Sequence, residues 1–180
     1  MTRLRALFVS TAGLLLSCAA RAAVVDVAPN GFALNIPAHI DATPDKVYAA
    51  LIEPSLWWSS EHTFSGNAQN LHLEAKAGGC WCESLPSGGS AQHLSVVYID
   101  PGKSLRLRGA LGPFQGLGVD GAMTWKLKPA ATGTDLVLTY TLGGYNKDGF
   151  ADLSAAADKV LTIQVERLKR LLETKSPEVR

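Results

Sequence analysis

The chain has 180 residues, of which 47% are hydrophobic and 18% are charged, and its formal net charge at pH 7 is +1. A chain of this length can bury one hydrophobic core without dividing, so its size favours a single domain. The balance of 17 basic and 16 acidic residues lacks the basic excess of a nucleic-acid-binding protein, and nucleic acid is not an expected partner.

The first 22 residues have the layout of a secretory signal. Arg3 and Arg5 precede an apolar run over residues 6–16, and small residues follow at positions 17–20. The apolar run is shorter than the ~20 residues that cross a hydrocarbon core, so a permanent transmembrane anchor is disfavoured. We therefore expect an exported protein that resides in the bacterial periplasm.

Two cleavage sites compete within this signal. Ala20 and Ala22 fit the small-x-small rule of ordinary signal peptidase, and their distance from the apolar run favours cleavage after residue 22. The alternative is the segment 15–18 (Leu-Leu-Ser-Cys), which resembles a bacterial lipobox. Cleavage there would leave Cys18 as a lipid-bearing N-terminus and would anchor the protein to a membrane.

The favoured cleavage divides the chain into a signal over residues 1–22, one domain over residues 23–175 and a tail over residues 176–180. Loss of the signal removes three arginines and no acidic residue, so the formal charge of the mature chain falls from +1 to −2. A negative mature chain disfavours nucleic acid further.

The mature domain begins with a predicted strand and a short helix. Residues 32–40 alternate apolar and polar side chains with a period of two, as in a half-buried strand. Thr43 is a suitable N-cap, Pro44 fits the first helical position, and Asp45 complements the helix dipole. The residue before a proline avoids the helical region, so Glu53-Pro54 predicts the end of this helix.

A run of strands separated by glycine and proline follows, which predicts an antiparallel meander. Its clearest turns are residues 100–102 (Asp-Pro-Gly) and 131–133 (Ala-Thr-Gly). From Leu153 to Leu172, apolar residues recur at spacings of three and four, which predicts a long amphipathic helix packed on the sheet. The predicted strands cover residues 71–75, 80–85, 92–99, 104–110, 122–128 and 135–142.

Four segments resemble the SRPBCC superfamily of START-like proteins. They are residues 40–51 (IDATPDKVYAAL), the pair Trp57-Trp58, residues 78–83 (GGCWCE) and residues 96–105 (VVYIDPGKSL). The resemblance is nearest to the branch similar to activators of heat-shock-protein ATPase and to polyketide cyclases. It implies an α+β helix-grip fold, in which a curved antiparallel β-sheet wraps around a long C-terminal helix and two short helices follow the first strand.

The resemblance also implies a cavity between sheet and helix, which in relatives holds lipids, steroids, polyketides or other apolar molecules. No cofactor is expected. The glycines between residues 109 and 121 do not form a GxxxxGK[ST] phosphate loop, so no nucleotide is expected either. We expect an exported protein that binds an apolar small molecule, such as a lipid or polyketide-like compound. The less favoured alternatives are a cyclase- or hydrolase-type enzyme and a co-chaperone-like module with a protein partner.

Aromatic side chains supply most of the candidate ligand-binding residues, because flat apolar walls with a few polar tips are typical of small-molecule cavities. Strand alternation predicts that some face the cavity and others fill the core, and that the adjacent Trp57 and Trp58 point in different directions. The candidates are Trp57, Trp58, His62, Phe64, Trp81, Phe114, Leu117, Trp125, Tyr140 and Tyr145.

The glycine-rich segment 109–118 joins two predicted strands and is itself apolar. One interpretation is a flexible lip at the cavity mouth, in which Phe114 and Leu117 contact the ligand or a membrane surface. The other is an ordinary hairpin connection whose apolar residues fold back on the core. The sequence leaves both interpretations open.

Cys80 and Cys82 lie one residue apart on a predicted strand, so their side chains share a face. In a regular strand their Cβ atoms are ~6.6 Å apart, whereas a disulfide needs ~3.5–4.5 Å. A disulfide therefore requires a bulged strand, and the favoured interpretation is two small, unpaired, buried side chains. A weaker alternative is a metal site completed by His62, His72 or His93.

Glu61 and His62 are the weak catalytic candidates, because a carboxylate beside an imidazole can act as general acid and base near a cavity entrance. Adjacent residues rarely present their side chains to one point, and no nucleophile is identifiable. A solvated loop pair is therefore the favoured interpretation. His93 and Tyr98 lie on a predicted strand whose faces one sequence does not assign.

Overall fold

The computed structural model describes residues 23–179, which form an antiparallel sheet packed on a long C-terminal helix. The predicted signal over residues 1–22, including Cys18, lies outside the described residues. The strands are β1 (Ala23–Ala28), β2 (Gly31–Ile40), β3 (Leu71–Leu73), β4 (Cys80–Ser84), β5 (Ser90–Asp100), β6 (Ser104–Arg108), β7 (Gly118–Pro129) and β8 (Thr134–Tyr145), and the helices are α1 (Pro44–Leu51) and α2 (Ala151–Thr174).

The eight strands form one sheet in the order β1-β2-β8-β7-β6-β5-β4-β3, and every neighbouring pair is antiparallel. Strands β3 to β8 form the predicted meander, and β2 joins it by pairing with β8. The long helix α2 packs against the sheet near β2. This α+β arrangement is the predicted helix-grip fold, which the structure confirms.

Two elements differ from the sequence expectation. A strand, β1, precedes the first predicted strand and pairs with it as an edge hairpin. Its side chains from Val24 to Val27 are largely exposed on both faces, so the segment lacks the period-two pattern that marks a half-buried strand. The second short helix is replaced by three single 3₁₀ turns at Pro54–Leu56, Ser60–His62 and Ala68–Asn70.

Local signals fix the ends of several elements. Helix α1 begins at Pro44 and ends before Glu53-Pro54, as predicted. The turn between β7 and β8 requires Gly133, whose φ is +70°. A Cβ atom at this position would lie 2.1 Å from the carbonyl oxygen of Ile40, so a side chain there would force two backbone segments apart.

Helix α2 turns its predicted apolar stripe towards the sheet. Ala157, Leu161, Gln164 and Leu168 recur at spacings of three and four, and all are buried. The helix ends at Lys175, whose left-handed φ of 64° lets its N–H bond the carbonyl oxygen of Leu171. Within the part of the chain that the structure describes, no helix has the combined length and hydropathy that crossing a bilayer demands.

Four tryptophans pack together in the core. Trp57 and Trp58 are both buried, with ring centroids 5.5 Å apart and planes at 64°. They follow the first 3₁₀ turn, so strand alternation does not apply to them. Trp81 and Trp125 complete the cluster, and each packs edge to face on Trp57 at 6.3 and 5.8 Å respectively.

Candidate functional site

A cavity of about 260 Å³ lies between the sheet and the N-terminal half of α2. Its wall is mainly apolar, with histidine and tyrosine as the main polar contributors. Four parts of the chain build it: the segment after the tryptophan pair, the sheet, the glycine-rich segment before β7, and α2. The lining residues are Trp58, Glu61, His62, Thr63, Phe64, Leu71, Trp81, His93, Leu111, Gly112, Pro113, Phe114, Tyr140, Ala156, Ala157, Val160 and Leu161.

The structure brings six of the ten candidate ligand-binding residues into this wall, and they come from three of its four parts, none from α2. The six are Trp58, His62, Phe64, Trp81, Phe114 and Tyr140.

The other four candidates do not line the cavity. Trp57 and Trp125 are fully enclosed by the tryptophan cluster and the sheet. Leu117 lies at the far end of the glycine-rich segment, next to β7, and Tyr145 ends β8 with 76% of its surface exposed. Aromatic character alone therefore does not identify the cavity wall, because core and cavity draw on the same residue types.

The glycine-rich segment is fixed at its start by Tyr140. The Tyr140 hydroxyl accepts a hydrogen bond from the N–H of Leu111 at 3.1 Å and donates one to the carbonyl oxygen of Gly109 at 3.3 Å. Burial raises the pKa of Tyr140 to about 12, so this hydroxyl stays protonated at neutral pH. Phe114 packs edge to face on Phe32, which holds the segment against the cavity.

His93, which lines the cavity, is paired with the buried carboxylate of Glu83. The Nε2 atom of His93 lies 2.8 Å from Oε2 of Glu83, and both side chains are buried. The same carboxylate accepts hydrogen bonds from the backbone N–H groups of Phe64 and Ser65. The ring of Phe64 stacks on the imidazole, with centroids 5.5 Å apart and planes 13° apart.

The partners of Glu83 set the protonation of this pair. Burial alone would raise the pKa of Glu83, but the hydrogen bonds from Ser65, Phe64 and His93 outweigh it and hold the pKa below its ordinary value. An ionised carboxylate only accepts, so Nε2 of His93 carries the proton. The other ring nitrogen of His93, Nδ1, is buried and has no hydrogen-bond partner among the described residues.

A bulge in β5 turns His93 inward. Trp81 pairs with Leu94 and Cys82 pairs with Gln92, so His93 is an extra residue in β5 at this point. An extra residue bends the strand and re-aims side chains, which here leaves the consecutive His93 and Leu94 both buried. Without the bulge, alternation would send one of them to the outer face.

Cys80 and Cys82 lie opposite this bulge, on the outer face of β4. The structure joins them in a disulfide, with Cα atoms 5.4 Å apart instead of the ~6.6 Å of a regular strand. Both side chains are half-buried. The favoured interpretation of two unpaired buried cysteines is therefore wrong, because the ladder is irregular where they lie. Among residues 23–179, no group of three or more His, Cys, Asp or Glu side chains is placed to hold a metal ion.

His62 and Glu61 both line the cavity, on the 3₁₀ turn after the tryptophan pair. Gln164, fully buried on α2, accepts the N–H of Ser59 at 2.9 Å through Oε1. Its Nε2 therefore donates to Nδ1 of His62 at 3.0 Å, which leaves the ring proton of the neutral imidazole on Nε2. Glu61 is exposed and makes no hydrogen bond to His62.

Sequence reasoning left the strand face of His93 unassigned and did not single out Glu83 or Gln164. One signal for Glu83 was present, since it lies two residues after Trp81 and strand alternation puts both on the same face. Gln164 stood within the apolar stripe of the predicted helix, where a buried amide needs partners. Neither signal identifies the hydrogen-bond partner of the residue, because that partner lies in another part of the fold.

The family model described as polyketide cyclase / dehydrase and lipid transport matches residues 33–173. The chain belongs to this family. The match runs from β2 to the end of α2 and includes every residue of the cavity wall. It confirms the SRPBCC resemblance of the sequence and supports an apolar small molecule as the ligand class. No curated protein matches the chain.

Solved structures share this fold at low identity. An uncharacterised protein from Rhizobium leguminosarum has a TM-score of 0.58 and 19% identity, over 78% of this chain and 93% of that one. The Aha1 dimer from Colwellia psychrerythraea has a TM-score of 0.53 and 18% identity, over 79% of this chain and 96% of that one. DynU16, of the dynemicin biosynthetic locus, has a TM-score of 0.54 and 23% identity, over 81% of this chain and 48% of that one. Such identities show a shared fold and not a shared function.

Proposed function

We propose that the chain is an exported binding protein for a compact apolar small molecule, held between the sheet and α2. One observation carries this proposal: an apolar cavity lined by aromatic side chains, with a few polar groups oriented by buried partners. This is the composition expected of a site that gains affinity from apolar burial and orientation from hydrogen bonds.

The cavity volume limits the ligand. Ligand pockets commonly measure ~300–1,000 Å³, so a cavity of about 260 Å³ is at the small end. At the packing density of protein interiors, ~0.74, it holds about 190 Å³ of van der Waals volume. This favours a molecule of a few fused rings over a phospholipid. Burial of about 200 Å² of apolar ligand surface supplies ~5 kcal/mol before the cost of association.

Export is part of the proposal and is supported by two features. Residues 1–22 have the layout of a secretory signal, with the lipobox at Cys18 as the alternative that would anchor the protein at a membrane. The disulfide between Cys80 and Cys82 fits an oxidising compartment such as the periplasm, because thiols are kept reduced in the cytosol.

A cavity-filling variant tests the binding site. Ala157 is buried on α2 and lines the cavity, whereas Ala155 is exposed on the same helix and does not. Native mass spectrometry of protein purified from the periplasm would identify a retained small molecule. We expect Ala157→Phe to lose it and Ala155→Phe to keep it. Retention by Ala157→Phe would place the ligand elsewhere, and a wild-type protein with no retained molecule would count against tight binding.

Acid–base catalysis is the second candidate function, and the orientation of His62 by Gln164 favours it. A fixed imidazole beside the exposed Glu61 is an arrangement that proton transfer can use. The two functions differ in their response to His62→Ala. An enzyme of this kind loses pH-dependent turnover of the retained molecule, whereas a binding protein keeps most of its affinity.

A further inference from the structure

Most hydrogen-bond donors on the side chains of the cavity wall are already used inside the protein. Nε1 of Trp58 donates to the carbonyl oxygen of His62 at 2.9 Å, and the Thr63 hydroxyl donates to that of Ser60 at 2.8 Å. The Tyr140 hydroxyl donates its proton to the backbone of the glycine-rich segment. These three groups therefore have no free proton to offer a ligand.

Trp81 and His93 offer the cavity no donor either. Nε1 of Trp81 and Nδ1 of His93 are closed off from solvent and lack a partner among the described residues, so a ligand does not reach them. Nε2 of His93 lies 2.8 Å from the carboxylate of Glu83, which occupies it. Both residues contribute ring surface to the wall, but their nitrogen atoms are not available to a ligand.

His62 is the exception among these side chains. Its Nε2 atom has no hydrogen-bond partner among the described residues and is not closed off from solvent. Oε1 of Gln164 accepts the N–H of Ser59, so the Gln164 amide nitrogen, 3.0 Å from Nδ1 of His62, donates to that atom. The proton of the neutral ring therefore lies on Nε2, and the charged ring carries a proton there as well. Nε2 of His62 is a donor in both states.

A carbonyl oxygen is the ligand group that suits this donor. It accepts a hydrogen bond, carries no net charge and has no proton of its own that needs a partner. A carboxylate would lose its hydration against a mainly apolar wall and would face the exposed carboxylate of Glu61, which lines the same cavity. An ammonium group only donates, so it would leave Nε2 of His62 unpaired, and a hydroxyl group needs a second partner for its own proton.

We propose that His62 anchors the ligand by donating from Nε2 to the carbonyl oxygen of a compact ring ketone. This inference rests on the proposed function, because it concerns the same cavity. It adds the chemical class of the ligand and the residue that recognises its polar group. Gln164 is then a positioning residue, since it fixes the ring proton of His62 without touching the ligand.

Two bicyclic probes test the anchor. 1-Tetralone and tetralin share one frame and differ only in a carbonyl group that replaces a methylene. Isothermal titration calorimetry gives the affinity of each probe for the wild-type protein and for His62→Phe, which removes the donor and keeps a flat ring. The ratio of the two affinities is compared between the proteins, so that the different hydration of the probes cancels. We expect the preference for 1-tetralone to fall roughly fivefold in His62→Phe, the factor that one net hydrogen bond supplies.

The matched control is His72→Phe, because His72 is exposed on the neighbouring β3 and lies outside the cavity wall. We expect this variant to keep the wild-type ratio. A ratio that is unchanged in His62→Phe would overturn the anchor, and binding of both probes would still leave the proposed function intact. If neither probe binds the wild-type protein, the anchor and the proposed function both fail for ligands of this size.

A second measurement avoids mutation of the cavity wall. In protein labelled with ¹⁵N-histidine, protonated and unprotonated ring nitrogens give distinct resonances. We expect the protonated Nε2 resonance of His62 to move when 1-tetralone binds and to move much less when tetralin binds, because only the ketone accepts its hydrogen bond. Equal shifts with the two probes would refute the hydrogen bond even if His62→Phe did not fold. A proton found on Nδ1 alone would overturn the donor role of Nε2 directly.

Discussion

Replacement of Glu83 by leucine tests the buried pair on which the cavity wall depends. The carboxylate is fully buried and accepts three hydrogen bonds, from His93 Nε2 at 2.8 Å, from the N–H of Phe64 at 3.1 Å and from the N–H of Ser65. Leucine is close in size but accepts none. The change therefore leaves three donors without their partner while filling most of the same space.

The expected loss of stability follows from the burial of these donors. A buried donor without a partner costs ~1–3 kcal/mol. His93 is 6% exposed and bears most of this cost, whereas the two backbone N–H groups lie in a partly exposed segment and regain water. We therefore expect about 3 kcal/mol in total, because one buried donor loses its partner completely and two partly exposed donors lose theirs in part. For a domain of this length, the melting temperature would fall by about 6–12 °C.

Urea unfolding followed by tryptophan fluorescence measures this loss, since the tryptophan cluster is buried in the core. Glu83→Gln keeps one acceptor oxygen, so we expect a loss of only about 1 kcal/mol. The control is Glu74→Leu, the same substitution at a side chain that is 52% exposed and makes only a surface ion pair with Lys76. Equal midpoints for Glu83→Leu and Glu74→Leu would refute the structural role of the pair.

The pH dependence of this stabilisation has a defined sign. Burial raises the pKa of Glu83, but the hydrogen bonds from Ser65, Phe64 and His93 have the larger combined effect and bring the pKa below the ordinary value of 4.5. A carboxyl group whose pKa is lower in the folded state stabilises the protein above its unfolded pKa. We expect the stability difference between wild type and Glu83→Leu to be full above about pH 4.5 and to shrink as the pH falls through the folded pKa. A difference that grew on acidification would contradict this ionisation.

Three further predictions concern other parts of the site. Gln164→Leu removes the amide that orients His62, and we expect urea unfolding to show a loss of about 2 kcal/mol. Tyr140→Phe removes both hydrogen bonds at the glycine-rich segment, which should cost about 1 kcal/mol and speed amide exchange there. Because burial raises the pKa of Tyr140 from 10.0 to about 12, the stabilisation that its hydroxyl supplies is full below pH 10 and is lost as the pH approaches 12. Alkaline unfolding should show this loss in the wild type and not in Tyr140→Phe. Alkylation followed by peptide mapping should label Cys80 and Cys82 only after reduction.

The elements of this fold could be predicted because their signals are local. Proline at the first helical position and a proline after the last turn delimit α1, and the stripe at spacings of three and four identifies α2. Strand alternation and glycine turns give the meander. The hairpin strand β1 escaped prediction because it is exposed on both faces and leaves no alternation in the sequence.

The cavity wall was predictable only in part, because its polar residues meet through non-local geometry. Gln164 and His62 are separated by 102 positions, and the sequence around either residue does not indicate that the two side chains meet. Glu83 and His93 face each other only because β5 carries one extra residue. A one-residue shift in register reverses the face of a side chain, and periodicity in one sequence does not reveal it.

These same contacts bear on how the cavity binds. Glu83 and Gln164 hold His93 and His62 in fixed tautomers and orientations, and both partners are fully buried. The cost of ordering the polar wall is therefore incurred when the chain folds, not when a ligand enters. A preorganised wall gains affinity by avoiding that cost, and it also penalises a ligand whose polar group does not match. Discrimination among apolar ligands of equal size should accordingly depend on the polar group that each one presents to this wall.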